Sequence, residues 1–145
     1  MNDVQDITAF ARLLRAFSVD MADLEDEGWP DPARGNVTWR TLICADRNPS
    51  AGMVAGVAVF APGGTLNAHC HGPHEVYFGL AGAGVVSIDG VPFPIAPGVA
   101  LFVPGGSEHS VLAGPEGLQF LYTFAVDRFA EVDYRFATFP PPAAD

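Results

Sequence analysis

Short apolar runs separated by turn residues fill most of this chain. From Asn36 onward they fall at Val37–Cys44, Met53–Phe60, Asn67–His71, Glu75–Leu80, Gly84–Ile88, Pro92–Ile95, Ala100–Val103, His109–Leu112 and Leu118–Ala125. The punctuation between them is Ala61-Pro62-Gly63-Gly64, Asp89-Gly90, Ala96-Pro97-Gly98, Pro104-Gly105-Gly106 and Gly114-Pro115-Glu116-Gly117. Asp89-Gly90 between apolar runs is a strong hairpin signal, because both residues tolerate positive φ. Closely spaced short strands of this kind predict an all-β fold, a sandwich or a barrel.

The beginning of the chain follows another period. Val4, Ile7, Phe10, Leu14 and Phe17 recur at three- and four-residue steps, which predicts a helix over residues 3–18 with Asp3 as N-cap. That apolar stripe needs a surface to cover, on the barrel or on a second subunit. Residues 19–35 are acidic and then broken by Trp29-Pro30-Asp31-Pro32, so they are expected to form a surface linker. The division is thus a helix and linker over 1–35, a barrel over 36–126 and a tail over 127–145, where Pro140-Pro141-Pro142 ends the ordered part.

Composition narrows the chemistry. The 145 residues are 49% hydrophobic and 17% charged, which suits one globular domain with a real core. A net charge of -10 repels phosphate backbones and acidic membrane surfaces, so no nucleic-acid or membrane partner is expected. All basic residues are Arg; the absence of lysine excludes Schiff-base and lysine-base catalysis. Cys44 and Cys70 alone make no disulfide framework. No basic-then-apolar leader and no long apolar stretch is visible, so a soluble cytoplasmic protein is expected.

The histidines carry the sharpest signal. All four, His69, His71, His74 and His109, fall in one part of the chain, and Glu75 follows the third. Imidazole and carboxylate bind borderline divalent metals at neutral pH. Strand alternation puts His69 and His71 on one face and turns Cys70 to the other. Gly72-Pro73 allows a bend, after which Glu75 and Tyr77 return to the inner face. His109 arrives from a separate strand after the Pro104-Gly105-Gly106 turn. Two strands of one barrel can therefore set three nitrogens and one oxygen around a point, with dry walls about them. His74 reads as a solvated loop residue, with a fifth ligand or a proton shuttle as the alternatives, Glu108 as an exposed turn residue and Cys70 as a buried, inert thiol, while Cys44 has no partner visible in the sequence.

Two runs, Gly63-x5-His69-x-His71-x3-Glu75-x6-Gly82 and Gly98-x5-Pro104-x-Gly106-x2-His109, resemble the paired motifs of the cupin superfamily. The second departs at its last position, where cupins often carry Asn and this chain has Ala113. The resemblance spans about residues 37–125. It implies a single jelly-roll (RmlC-like) barrel, here with a short N-terminal helix. It also implies His69, His71, Glu75 and His109 as ligands of one divalent transition metal, Fe(II) or Mn(II) first, with Zn, Ni or Co acceptable. Within cupins, the Tyr two residues after the Glu makes the chain similar to the dimethylsulfoniopropionate lyases of that fold. In that family the substrate carboxylate binds the metal, a tyrosine removes the α proton, and dimethyl sulfide leaves to give acrylate. Tyr77 is then the expected base. Tyr122, on the last strand, is the second candidate, and Tyr134, in the tail, ranks third. The sulfonium end calls for aromatic faces. Trp39 is the choice among Trp39, Phe60, Phe78 and Tyr122, and Phe78 is placed last by parity. An Fe(II) dioxygenase, a sugar or keto-acid isomerase, and a metal-containing binding module share these ligands and remain alternatives. Cupins commonly pair through sheet edges, so a homodimer acting on a small molecule is expected.

Overall fold

The apolar runs become eight strands: β1 (Thr38–Ile43), β2 (Val54–Phe60), β3 (Thr65–Cys70), β4 (Glu75–Ile88), β5 (Val91–Ile95), β6 (Ala100–Val103), β7 (His109–Phe124) and β8 (Arg135–Phe136). In this computed structural model, which describes residues 14–137, every strand pairing is antiparallel. The order is β1-β2-β7-β3-β8, and β4 runs along β7 while carrying β5 and β6. β7 is the organising strand. Its second half pairs with β2, its first half with β3, and β4 follows both. Alternation is clean at the start of β4, where Glu75, Tyr77 and Gly79 are buried while Val76, Phe78 and Leu80 are exposed. The inward residues, among them Val54, Val86, Val103, Val111, Phe120 and Phe124, build one core. Asp89 and Gly90 both take positive φ, 48° and 80°, as the hairpin between β4 and β5 requires.

Three expectations are corrected. Glu75–Leu80 and Gly84–Ile88 are one strand, because the register shifts between Gly79 and Ala81 and between Gly82 and Gly84 bend the pairing without ending it. His109–Leu112 and Leu118–Ala125 likewise merge into β7. Gly84 pairs with Ala113 and Gly82 with Leu118, so Gly114–Gly117 bulges out of register opposite them. The helix expected over 3–18 falls largely outside the described residues. Its described part, from Leu14, is not helical, and the Arg15 N–H is bonded to the Pro49 carbonyl at 3.2 Å rather than to a helical turn. The first described helical turn is the 3-10 segment Met21–Asp23, capped by Asp20.

The segments flanking the barrel do more than lie on its surface. Glu27 forms an antiparallel bridge with Trp39, extending the sheet beyond β1. Gly35 bridges Leu66. On the other side, Asp127–Arg135 passes over the same end of the barrel before β8 pairs with β3. Its Asp127 accepts from Gly52 N at 2.6 Å, and its Asp133 from Gly72 N at 2.8 Å. Trp29 from the first segment meets Tyr134 and Phe136 from the second, at 5.1 and 5.4 Å between ring centroids. These two straps roof the end of the barrel where the histidines lie. No described helix is long and apolar enough to cross a membrane.

Candidate metal centre

Strand parity assembles the cluster. His69 near the end of β3 lies in register with His109 at the start of β7. His71 follows one residue beyond β3, and Glu75 opens β4 on the inner face. All four are buried. The ligand nitrogens of His69, His71 and His109 lie within 4.8 Å of one another. Glu75 Oε1 stands 3.3 Å from Nε2 of both His71 and His109.

The hydrogen bonds around these rings fix what they offer. Nδ1 of His69 meets the Asn67 carbonyl at 2.7 Å, Nδ1 of His71 the Pro73 carbonyl at 2.9 Å, and Nδ1 of His109 the Ser107 carbonyl at 2.9 Å. A carbonyl only accepts, so each Nδ1 carries the proton and donates it. Each Nε2 lone pair then faces inward. Nε2 of all three rings and Oε1 of Glu75 are buried with no hydrogen-bond partner among the described residues. Lone pairs held this close repel unless a cation lies between them. One proton cannot serve three rings at once, whereas a divalent ion can, and the N3O donor set suits one.

The same groups shift each other's titration. Burial, then the neighbouring His109, pulls the His69 pKa down to about 3, so this ring is neutral at pH 7. Burial also disfavours charge on His71, but the Glu75 carboxylate beside it outweighs this and leaves His71 raised. Burial would raise Glu75, yet His109 and His71 hold its carboxyl below the usual range. Tyr77 is enclosed, and burial followed by the charge of Glu75 raises its phenol well above 10. The protein's own groups thus keep Tyr77 protonated, and only a cation nearby would reverse that.

The structure sorts the remaining candidates. Tyr77 faces inward, its ring 6.2 Å from that of His109 and 4.1 Å from Phe120. Tyr122 is buried and lines the same cavity, but its hydroxyl packs over Gly56, where a Cβ would collide with it. Tyr134 is closer to the cluster than its place in the tail suggested. Its ring lies 5.4 Å from His69 and 5.3 Å from His71, and burial, then Glu75, raises its phenol well above 10. Trp39 lines the cavity, with Nε1 buried and without a hydrogen-bond partner among the described residues. Phe60 packs on Phe120, and Phe78 is exposed, as parity required. His74 stays outside the cluster, where its Nδ1 accepts from Gly105 N at 2.7 Å. Cys70 is half-buried and Cys44 is buried with its thiol on Asp46; both are free. Glu108 is an exposed turn residue.

Trp29, Phe129 and Tyr134 reach the cavity from the straps, which carry no strand periodicity to announce them. The one signal they gave was aromatic content among acidic, turn-forming neighbours. The cavity is small, with about 30 Å³ of space for water centres, roughly enough for two waters.

A barrel of this topology with a three-histidine, one-carboxylate cluster at its roofed end is the architecture of a metal cupin. The cupin-domain family model matches residues 56–124. The polyketide cyclase RemF of Streptomyces resistomycificus superposes with a TM-score of 0.73 over 87% of this chain and 88% of its own, at 22% identity. The chain belongs to the cupin family. Its sequence is 48% identical over 119 residues to the dimethylsulfoniopropionate lyase DddW of Ruegeria pomeroyi, covering 82% of this chain and 78% of that enzyme. A solved structure from work on the dimethylsulfoniopropionate lyases RdDddP and RnDddQII has a TM-score of 0.67 at 16% identity, over 79% of this chain and 63% of that one.

Proposed function

We propose that this protein is a metal-dependent carbon–sulfur lyase that cleaves dimethylsulfoniopropionate to dimethyl sulfide and acrylate by β-elimination. One observation carries the reading. A small cavity at the end of the barrel joins Glu75 of the histidine cluster to a buried Tyr77 and a wall of aromatic rings, in a chain 48% identical to an enzyme of that activity.

His69, His71, Glu75 and His109 would hold one divalent ion, with Fe(II) or Mn(II) our choice and Zn, Ni or Co chemically acceptable. When bound, the ion supplies Lewis-acid polarisation of the substrate carboxylate, which makes the α hydrogen more acidic. Tyr77, on the inner face two residues after Glu75, would take that proton as general base in its phenolate form, which a cation held by the cluster would stabilise. The C–H electron pair becomes the second bond between the α and β carbons. The bond from the β carbon to sulfur breaks, and sulfur keeps its pair. Dimethyl sulfide departs neutral, so no acid is needed to assist it. Tyr134 is positioned to hydrogen-bond the substrate carboxylate or share the proton, and Tyr122 and Trp39 to line its path. Closure by the straps keeps bulk water from competing for the base.

The setting we propose is a cytoplasmic homodimer acting on a small molecule. The two free cysteines agree with a reducing compartment. The exposed apolar face of β4 and β6, where Phe78 is 41% and Phe102 61% exposed, offers a surface for a second copy.

Headspace gas chromatography of the purified protein loaded with Fe(II), Mn(II), Co(II), Ni(II) or Zn(II) tests the activity. Release of dimethyl sulfide matched mole for mole by acrylate is expected, with Tyr77→Phe losing most turnover while keeping its metal. No sulfide with any of these ions would overturn the lyase reading, and oxygen uptake on other carboxylates would favour a dioxygenase.

A further inference from the structure

Of the four cluster residues, His71 alone lies outside the strands. His69 and His109 face each other across the β3–β7 ladder, and Glu75 is paired with Phe124 on one side and Val103 on the other. His71 instead begins the loop His71-Gly72-Pro73-His74, which four hydrogen bonds among the described residues hold in place. Gly106 N donates to the His71 carbonyl at 2.8 Å, and Gly105 N to His74 Nδ1 at 2.7 Å. The His71 ring donates from Nδ1 to the Pro73 carbonyl at 2.9 Å. Gly72 N donates to Asp133 Oδ1 at 2.8 Å. The peptide unit that follows His71 is thus gripped at both ends, its carbonyl by the β6–β7 turn and its N–H by the C-terminal strap. Gly72 has no side chain to limit rotation and Pro73 has no N–H, so the loop has little else to stiffen it. The next strap residue, Tyr134, lies against the rings of both His69 and His71, and Arg135 pairs with Cys70.

We propose that Asp133 is a positioning residue for the metal centre: by accepting the Gly72 N–H, its carboxylate oxygen fixes the loop that aims Nε2 of His71 at a cation. The proposal rests on the cluster holding a divalent ion, as the lyase reading requires, and not on the identity of the substrate. Without Asp133 the peptide after His71 keeps only its bond to Gly106 and can swing about it. The Pro73 carbonyl, which orients the imidazole through Nδ1, moves with that peptide. Groups that orient a ligating imidazole govern how tightly the metal is held. The other contact of Asp133 is with Arg135, 3.6 Å away between two exposed side chains, where an ion pair contributes little. Its role is therefore that of a hydrogen-bond acceptor and not of a charge.

The test is the rate at which the Zn(II)-loaded protein gives up its ion to an excess of a chromogenic chelator. Asp133→Ala is expected to lose zinc about tenfold faster than the wild-type protein. Asp133→Asn, whose side-chain oxygen can still accept from Gly72, should stay within about threefold, and so should Arg135→Ala. Asp127→Ala removes the strap's other carboxylate anchor, the one at Gly52 N, and leaves the His71 loop intact, so its zinc loss should match the wild type. The Asp133 side chain is 53% exposed, so the fold should tolerate both changes there. Unchanged zinc loss in Asp133→Ala overturns the role, as does equally fast loss from Asp133→Asn or Asp127→Ala. A wild-type protein that binds no divalent ion overturns the metal centre and the role together. Faster loss confined to Asp133→Ala, with no dimethyl sulfide released by the loaded wild type, sustains the role and removes the lyase reading.

Discussion

The ring of Tyr134 stands edge-on to that of His71, centroids 5.3 Å apart and planes at 76°. This brings a phenol of the C-terminal strap to the histidine cluster, while Tyr77 reaches it from β4. Tyr122, though on the cavity wall, has its hydroxyl over Gly56. Tyr77→Phe and Tyr134→Phe are therefore each expected to lower kcat by about a hundredfold, and Tyr122→Phe to keep most of it. Steady-state rates with metal content measured in parallel check this. A Tyr134→Phe enzyme with wild-type kcat would remove Tyr134 from the chemistry.

Withdrawing the metal should destabilise the protein. Without a cation, the Glu75 carboxylate and three imidazoles would face one another in a buried space, and any ion bound only by the folded chain stabilises it by mass action. A chelator is expected to lower Tm by about 5–10 °C at modest excess of ion, reversed on reloading. In His109→Ala the same chelator should change little. Differential scanning fluorimetry reads both.

Acid should loosen the N-terminal strap. Burial would raise the Glu27 pKa, but hydrogen bonds from Arg47 and Thr41, at 2.9 and 2.7 Å, outweigh it and hold the carboxyl below its ordinary 4.5. A carboxyl lowered on folding stabilises the folded chain above the unfolded pKa, and this contribution is lost as pH falls through the folded value. Glu27→Gln should thus cost about 1 kcal/mol at neutral pH, a modest figure because the pair is partly solvated, and progressively less as acid protonates the carboxyl. Urea unfolding at neutral and acid pH would contradict this if the difference did not shrink in acid.

Gly56 is predicted to be intolerant of a side chain for a reason confined to its neighbours. A Cβ there would meet the hydroxyl and ring carbon Cζ of Tyr122, and the Arg40 carbonyl at 2.8 Å. Gly56→Ala should cost about 2 kcal/mol, and adding Tyr122→Leu, which removes both Tyr122 atoms, should recover part of it. Strictly additive losses in the double-mutant cycle would show that the end of the Tyr122 ring is not the obstacle.

Much of the centre was legible because strands make geometry local. His69 and His71 share a face by parity, Glu75 and Tyr77 do so after one bend, and His109 opens the strand paired with the first. The merged strands were harder to see, because Gly82 and Gly114–Gly117 carry turn chemistry that the long β4–β7 ladder absorbs as bulges. Trp29 and Phe129 were out of reach, and Tyr134 was ranked too low, for another reason. Their positions depend on contacts remote in sequence, such as Asp133 to Gly72, Glu27 to Trp39 and Asp127 to Gly52, and no period along the chain encodes these. The helix over 3–18 shows the opposite error at its described end, where a tertiary partner, Pro49, takes the backbone donor that the local pattern had assigned to a helix.

The roof over the barrel end has a kinetic corollary. A space that holds about two waters cannot admit a zwitterion until Trp29 and Tyr134, now 5.1 Å apart, separate. Catalysis inside can then run no faster than the straps part and close again, so a more viscous solvent should slow turnover even where the bond-breaking step itself is quick.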